Sequence, residues 1–96
     1  MSRDEGKIIN LEIKISGKVQ NVGFRFFAKI HAHKFGIKGF CRNKDDGSLL
    51  VVCSGKKENQ ERFLKKLQKG PLFARVDNLE AKEVNEIQTE DFEIIK

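Results

Sequence analysis

Apolar and polar residues alternate through Ile9, Leu11, Ile13 and Ile15, a period of two that predicts a half-buried strand over residues 7–15. Past Gly23 the period lengthens. Phe24, Phe27 or Ala28, His31 or Ala32, and Phe35 recur at helical spacing, so a helix starts by Phe24 and ends at Gly36, which can serve as its C-cap. His33 and Lys34 lie favourably in its last turn. A second strand runs from Ile37 toward Asn43, Asp45-Asp46-Gly47 signals a reverse turn, and a third strand covers residues 48–53. The unbroken apolar run from Leu49 to Cys53 places that strand at the centre of a sheet or under cover on both faces, with Ser54 and Gly55 as its break.

Residues 56–69 read as a second helix whose core contacts come chiefly from Phe63, Leu64 and Leu67, stopped by Gly70-Pro71. A less regular strand lies within 76–84 and a polar crossing spans 85–90. Phe92 and Ile94 then alternate as an edge strand, where Lys96 can blunt pairing with another chain. Two helices separated by strand pairs predict an α+β fold, a two-layer α/β sandwich of an antiparallel sheet and two helices in the ferredoxin-like split β-α-β arrangement. The expected organisation is one domain over 7–96 behind a flexible N-terminal extension, residues 1–6.

Composition narrows the setting. A chain of 96 residues, 39% hydrophobic and 34% charged, suits a soluble single core, and no apolar run approaches membrane-spanning length. The polar start lacks the apolar stretch of a secretory signal, so the expected location is the cytoplasm, with no membrane association; a monomer is the expected state. Cys41 and Cys53 have no metal-ligand spacing; two reduced core thiols are the expectation, with pairing across neighbouring strands as the alternative. The formal charge of +5 is uneven. Lys18, Arg25, Lys29, Lys34, Lys38, Arg42 and Lys44 fall in a stretch, 16–44, without an acidic residue, whereas 76–95 is acidic apart from Lys82. Such a field favours a negatively charged ligand, and by itself leaves a small anion, RNA and acidic lipid open.

The strand-to-helix passage S-G-K-V-Q-N-V-G-F-R, residues 16–25, offers chemistry that the charge does not. Gly17, Asn21 and Gly23 can adopt positive φ, and amides of such a turn joined to a helix's first N–H groups can cradle an anion. Arg25, at the mouth, carries the planar donor fork suited to phosphate or carboxylate. Each residue also has a plainer reading: the glycines as an ordinary turn, Arg25 as a solvated first-turn side chain, and Asn43 as a strand-end residue bonding locally before the Asp-Gly turn. His31 and His33, two apart, point in different directions and make no metal pair. Phe26 and Ile30, four apart, read either as an apolar strip beside the cradle or as partial core.

The loop G-K-V-Q-N-V-G-F-R resembles the signature of the acylphosphatase family, commonly G-x-V-Q-G-V-G-F-R, and G-I-K-G-F-C-R-N-K-D-D-G from Gly36 to Gly47 resembles its second signature, with Asn43 at the asparagine position. The likeness continues in order through Cys53-Ser54-Gly55, Gly70-Pro71, Ala74-Arg75-Val76 and Asp91-Phe92-Glu93-Ile94. Asn21 stands where glycine is usual, and Lys96 where the family often ends in tyrosine. The resemblance implies the same fold and hydrolysis of small acyl phosphates to carboxylate and inorganic phosphate. It assigns phosphate binding to Gln20, Asn21, Val22, Gly23, Phe24 and Arg25, with Gln20 shaping the loop. Arg25 and Asn43 become the catalytic pair, Arg25 gripping the phosphoryl group and Asn43 placing the water. A carboxylate is already a good leaving group, so this chemistry calls for no metal, no cofactor and no side-chain acid. Against it stand a noncatalytic anion-binding or protein-interaction domain and, more weakly, a nucleic-acid module, for which the third strand lacks a stacking aromatic.

Overall fold

A computed structural model describes residues 6–87 and 89–95. The extension expected at 1–6 therefore falls almost wholly outside the described residues, as does the edge-blunting role expected of Lys96. Seven elements follow in order: β1 (Ile8–Lys18), α1 (Phe24–Lys34), β2 (Lys38–Asn43), β3 (Leu49–Lys56), α2 (Lys57–Lys69), β4 (Arg75–Glu83) and β5 (Phe92–Ile95). They build one five-stranded sheet in the order β4-β1-β3-β2-β5. The α+β sandwich with two helices is thus as expected, and β3 does lie at its centre. The first four strands pair antiparallel, while the edge strand β5 joins β2 in parallel.

Alternation decides which face is covered. Leu11, Ile13 and Ile15 of β1, Cys41 of β2, Leu49, Val51 and Cys53 of β3, and Phe92 of β5 are buried. Helix α1 adds Phe24, Ala28 and Ala32, and α2 adds Phe63 and Leu67. Phe63 meets Phe92 edge-on at 6.0 Å between ring centroids. Gln60 is the polar member of this layer. Its Nε2 donates to the carbonyls of Ile9 and Cys53, each at 3.2 Å, and its Oε1 accepts from the Cys53 thiol at 3.2 Å, so its burial leaves neither end of the amide unpaired.

Two strands run further than their patterns suggest. β3 does not stop at Ser54 and Gly55 but continues to Lys56, with Gly55 paired to Ile9 of β1. A Cβ on Gly55 would lie 2.5 Å from Ile37 Cδ1, so glycine makes room for a core isoleucine rather than ending the strand. β1 likewise passes Ile15 and ends at Lys18, with a register shift at Ser16/Gly17 against β4. Gly17 belongs to that bulge, at φ 128°, where a Cβ would sit 2.2 Å from the Arg75 carbonyl oxygen. The loop proper is therefore 19–23.

Gly39 is the tightest position. Its φ is 147°, and a Cβ there would fall 1.9 Å from the Val52 carbonyl oxygen of the neighbouring strand. Backbone cannot yield as a side chain can, so Gly39→Ala is expected to cost about 2–3 kcal/mol of stability. Urea unfolding that gave the wild-type midpoint would refute this account of Gly39.

Candidate active site

β2 runs back along α1, which fixes where the end of each must meet. The C-terminal end of α1 touches the beginning of β2, through Ile37 N–H donating to Ala32 O at 2.8 Å. At the other end the Cys41 thiol faces Arg25 O, 3.7 Å away in the first turn of α1. Asn43, two residues beyond Cys41 on the same face of β2, is thereby carried toward the helix N-terminus and the 19–23 loop. Gln20 ties these parts together: its Nε2 donates to Lys44 O at 2.7 Å and to Ser48 O at 3.0 Å, pinning the loop to the β2–β3 turn. That turn is itself closed by Lys44 N–H to Ser48 O (2.9 Å) and by Asp46, which accepts from the Ser48 amide at 3.0 Å and from its hydroxyl. These bonds, first the Ser48 hydroxyl and then its amide, hold the Asp46 carboxyl below the usual carboxylate range.

The loop backbone bends as an anion cradle requires. Asn21, in the place where glycine is usual, sits at φ 61°, the left-handed region that asparagine tolerates. Gly23 is the N-cap of α1 at φ 78° and ψ 15°, and among the described residues no side chain caps the helix. Phe27 N–H bonds to Gly23 O at 3.0 Å, so the preceding amides of the first turn have no intrahelical acceptor. No acidic residue stands in that turn to compete for its positive end.

A depression of about 220 Å³ opens there, lined by Val19, Asn21, Gly23, Phe24, Arg25, Phe26 and Ile94. Four residues assigned to the site from sequence line it: Asn21, Gly23, Phe24 and Arg25. Gln20 and Val22 do not. Gln20 spends its amide on the β2–β3 turn, and Val22 packs against the core. Asn43 is not a wall of this depression either; it stands at the end of β2, half-buried, and its Oδ1 is fully enclosed with no hydrogen-bond partner among the described residues. Arg25, half-buried, forms no ion pair among the described residues, in contrast to Arg75, which is held by Asp77 at 2.9 Å. Val19 and Ile94 escaped sequence reasoning. The alternation Phe92, Ile94 put both on the covered face, yet only the parallel docking of β5 beside β2 brings Ile94 to the loop.

A larger depression, about 280 Å³, lies on the uncovered sheet face between Glu12, Lys14, Lys44, Leu50, Glu80, Ala81 and Lys82. Lys82 pairs with Glu12 at 3.3 Å and Lys14 with Asp46 at 3.2 Å, so this surface has little preference for either sign of charge. The smaller depression, with an arginine that has no ion pair among the described residues, is the better anion site.

Among the described residues no titratable side chain other than Arg25 lines it. Burial pushes the Cys41 thiol up to about 12 despite Arg25 and Lys29 nearby, and pushes Cys53 up to about 12 against its bond with Gln60, so neither supplies a thiolate near neutrality. Both cysteines are free. His33 meets exposed Asp91 at 2.8 Å. His31 packs between Phe27 and Phe35, with ring centroids 4.4 and 6.4 Å away, and its Nδ1 is buried without a partner among the described residues. Among the described residues no three His, Cys, Asp or Glu side chains converge as metal ligands, and no helix is long and apolar enough to cross a membrane.

Desolvation, with Lys66 and Lys34 adding repulsion, lowers the His31 pKa below its ordinary 6.5. The neutral ring is thus favoured in the fold. Its contribution is fully present above the unfolded value and is lost as pH falls from 6.5 through the lowered folded value. His31→Leu should accordingly lose less stability than wild type between pH 7.5 and 5. Equal shifts in urea midpoint for the two proteins would contradict this.

Comparison with known proteins fits the geometry. A family model described as acylphosphatase matches residues 11–94. The acylphosphatase of Oceanobacillus iheyensis is 41% identical over 88 residues, covering 91% of this chain and 92% of that one. Among solved structures, an acylphosphatase from Coxiella burnetii superposes with a TM-score of 0.89 at 26% identity, covering 99% of this chain and all of the other. That from Bacillus subtilis gives 0.88 at 26% identity, over 94% of this chain and all of its own.

Proposed function

The chain belongs to the acylphosphatase family, and on that premise we propose that it hydrolyses small acyl phosphates by in-line attack of a positioned water, without a metal ion, as a cytoplasmic monomer. The observation that carries the reading is the left-handed loop at Asn21 and Gly23, opening onto an uncapped helix start beside an arginine free of carboxylates among the described residues.

In this reading the phosphoryl oxygens rest on first-turn and loop amides, and Arg25 closes on them with two parallel N–H donors. Charge gathers on these oxygens as the bond to the carboxylate lengthens. Donors already fixed in place stabilise that charge without having to reorganise. To accept a hydrogen bond from the attacking water, Asn43 must turn its Oδ1, enclosed and without a protein partner among the described residues, toward the cradle. The water oxygen forms the new bond to phosphorus, the bond to the acyl oxygen breaks, and the carboxylate departs with that electron pair. The water proton passes to a phosphoryl oxygen, because neutral asparagine is too weak a base to keep it. Gln20 acts at one remove by holding the loop to the turn that follows Asn43.

No side chain in this scheme titrates near neutrality. His31→Ala and His33→Ala should each retain kcat within about twofold, and kcat/KM should lack a histidine limb between about pH 6 and 7. Phosphate release from an acyl phosphate, set against a phosphate monoester and an Arg25→Ala control, tests the assignment as a whole. Equal activity on the two phosphates, or full activity in the Arg25→Ala protein, would remove its basis.

A further inference from the structure

The anion cradle has one wall that anion binding does not explain. Phe26 lines the depression next to Arg25, yet the residue is 63% exposed, an unusual place for a phenylalanine. It follows the residue assigned to grip the phosphoryl group, and half-buried Ile94 continues the apolar rim of the same opening, over a floor of buried Val19 and Phe24. Ile30, one helical turn further along α1, is also exposed at 49% but lies outside the depression. The apolar strip therefore divides into a part that adjoins the cradle and a part that does not.

We propose that Phe26, backed by Ile94, is a specificity-determining residue that seats the acyl group, so that the protein prefers acyl phosphates with an aromatic or branched carbon chain over acetyl phosphate. The inference rests on the hydrolysis reading above. An acyl phosphate has one charged end and one apolar end a few bonds apart. The depression likewise places cationic and amide donors beside a partly exposed ring and a half-buried isoleucine. With the phosphoryl group on the loop amides and Arg25, the acyl carbons leave the cradle across this rim, where a larger group removes more of the Phe26 ring from water. The contact is made on an open surface, so its contribution belongs at the low end of what an apolar pocket provides, about tenfold in kcat/KM.

The test compares benzoyl phosphate with acetyl phosphate in the wild type and in Phe26→Ala, Phe26→Leu and Ile30→Ala proteins. Taking the ratio of kcat/KM for the two compounds and comparing it between proteins cancels their difference in intrinsic reactivity. The preference for benzoyl phosphate should fall about tenfold in Phe26→Ala and be largely restored by leucine. It should be unchanged in Ile30→Ala, while inhibition by inorganic phosphate stays the same in all four. An unchanged ratio in Phe26→Ala, an equal loss on both substrates, or the same fall in Ile30→Ala would overturn the inference while leaving hydrolysis itself in place. A wild-type protein inert toward both compounds would instead overturn the reading on which the inference rests.

Discussion

Arg25→Lys is expected to fold normally and to hydrolyse an acyl phosphate about 100-fold more slowly, or worse, in kcat/KM. Lysine keeps the charge, so the long-range attraction of the basic 16–44 stretch for an anion remains. What it loses is the fork. A guanidinium can hold two phosphoryl oxygens at once in a fixed plane, whereas an ammonium is a point charge on a flexible stem that moves as the substrate does. Arg25 is half-buried beside an apolar rim and has no competing carboxylate among the described residues, so the missing geometry is not made good by a neighbour. Circular dichroism and steady-state kinetics decide the matter. Wild-type values in both would dismiss Arg25 as the clamp.

Asn43→Ala should give a comparable loss, about 100-fold, but of another kind. The scheme puts Asn43 on the water and Arg25 on the phosphoryl oxygens, so removing the amide takes away an interaction made chiefly in the transition state. Both kcat and kcat/KM should fall together while inorganic phosphate inhibits almost as before. The Oδ1 has no partner among the described residues, so the alanine protein breaks no hydrogen bond between them through that atom, which makes it easy to interpret. Unchanged kcat would sink the assignment. Loss of phosphate inhibition would move Asn43 from the water to the cradle.

Much of this was legible in the residues because local rules and the fold agree. The change from period two to helical spacing around Gly23, and the Asp-Gly turn, mark the elements on either side of the site. Asn21 was readable as a left-handed residue because the alternatives at a glycine-like position are few. The parts that were not legible depend on chains that meet only after folding. Nothing near Gly17 in sequence reveals that the Arg75 carbonyl lies against it, and so the glycine read as part of the loop belongs to a bulge. Gly55 read as a strand break for the same reason, its partner being Ile37. Gln60 was not among the core contacts read for the second helix, which were Phe63, Leu64 and Leu67, yet two carbonyls and a thiol await it in the core. Gln20 and Val22 were assigned to phosphate along with their neighbours, although their side chains hold the loop rather than line it.

The placement of β1 between β3 and β4 has a kinetic side. Leu11 pairs with both Cys53 and Glu83, so the sheet cannot close through neighbouring hairpins alone. Long stretches of chain must give up their freedom before those pairings return any energy, which puts such topologies among the slower folders of their size, on the order of milliseconds to seconds. The depression inherits this dependence, because its walls at Val19 and Ile94 belong to opposite ends of the sequence and the bulge at Gly17 exists only against β4. An isolated loop peptide would carry the same residues without the walls. On the proposed reading, affinity for an anion would be acquired only at the end of folding, and a bound anion would act by holding the finished sheet closed.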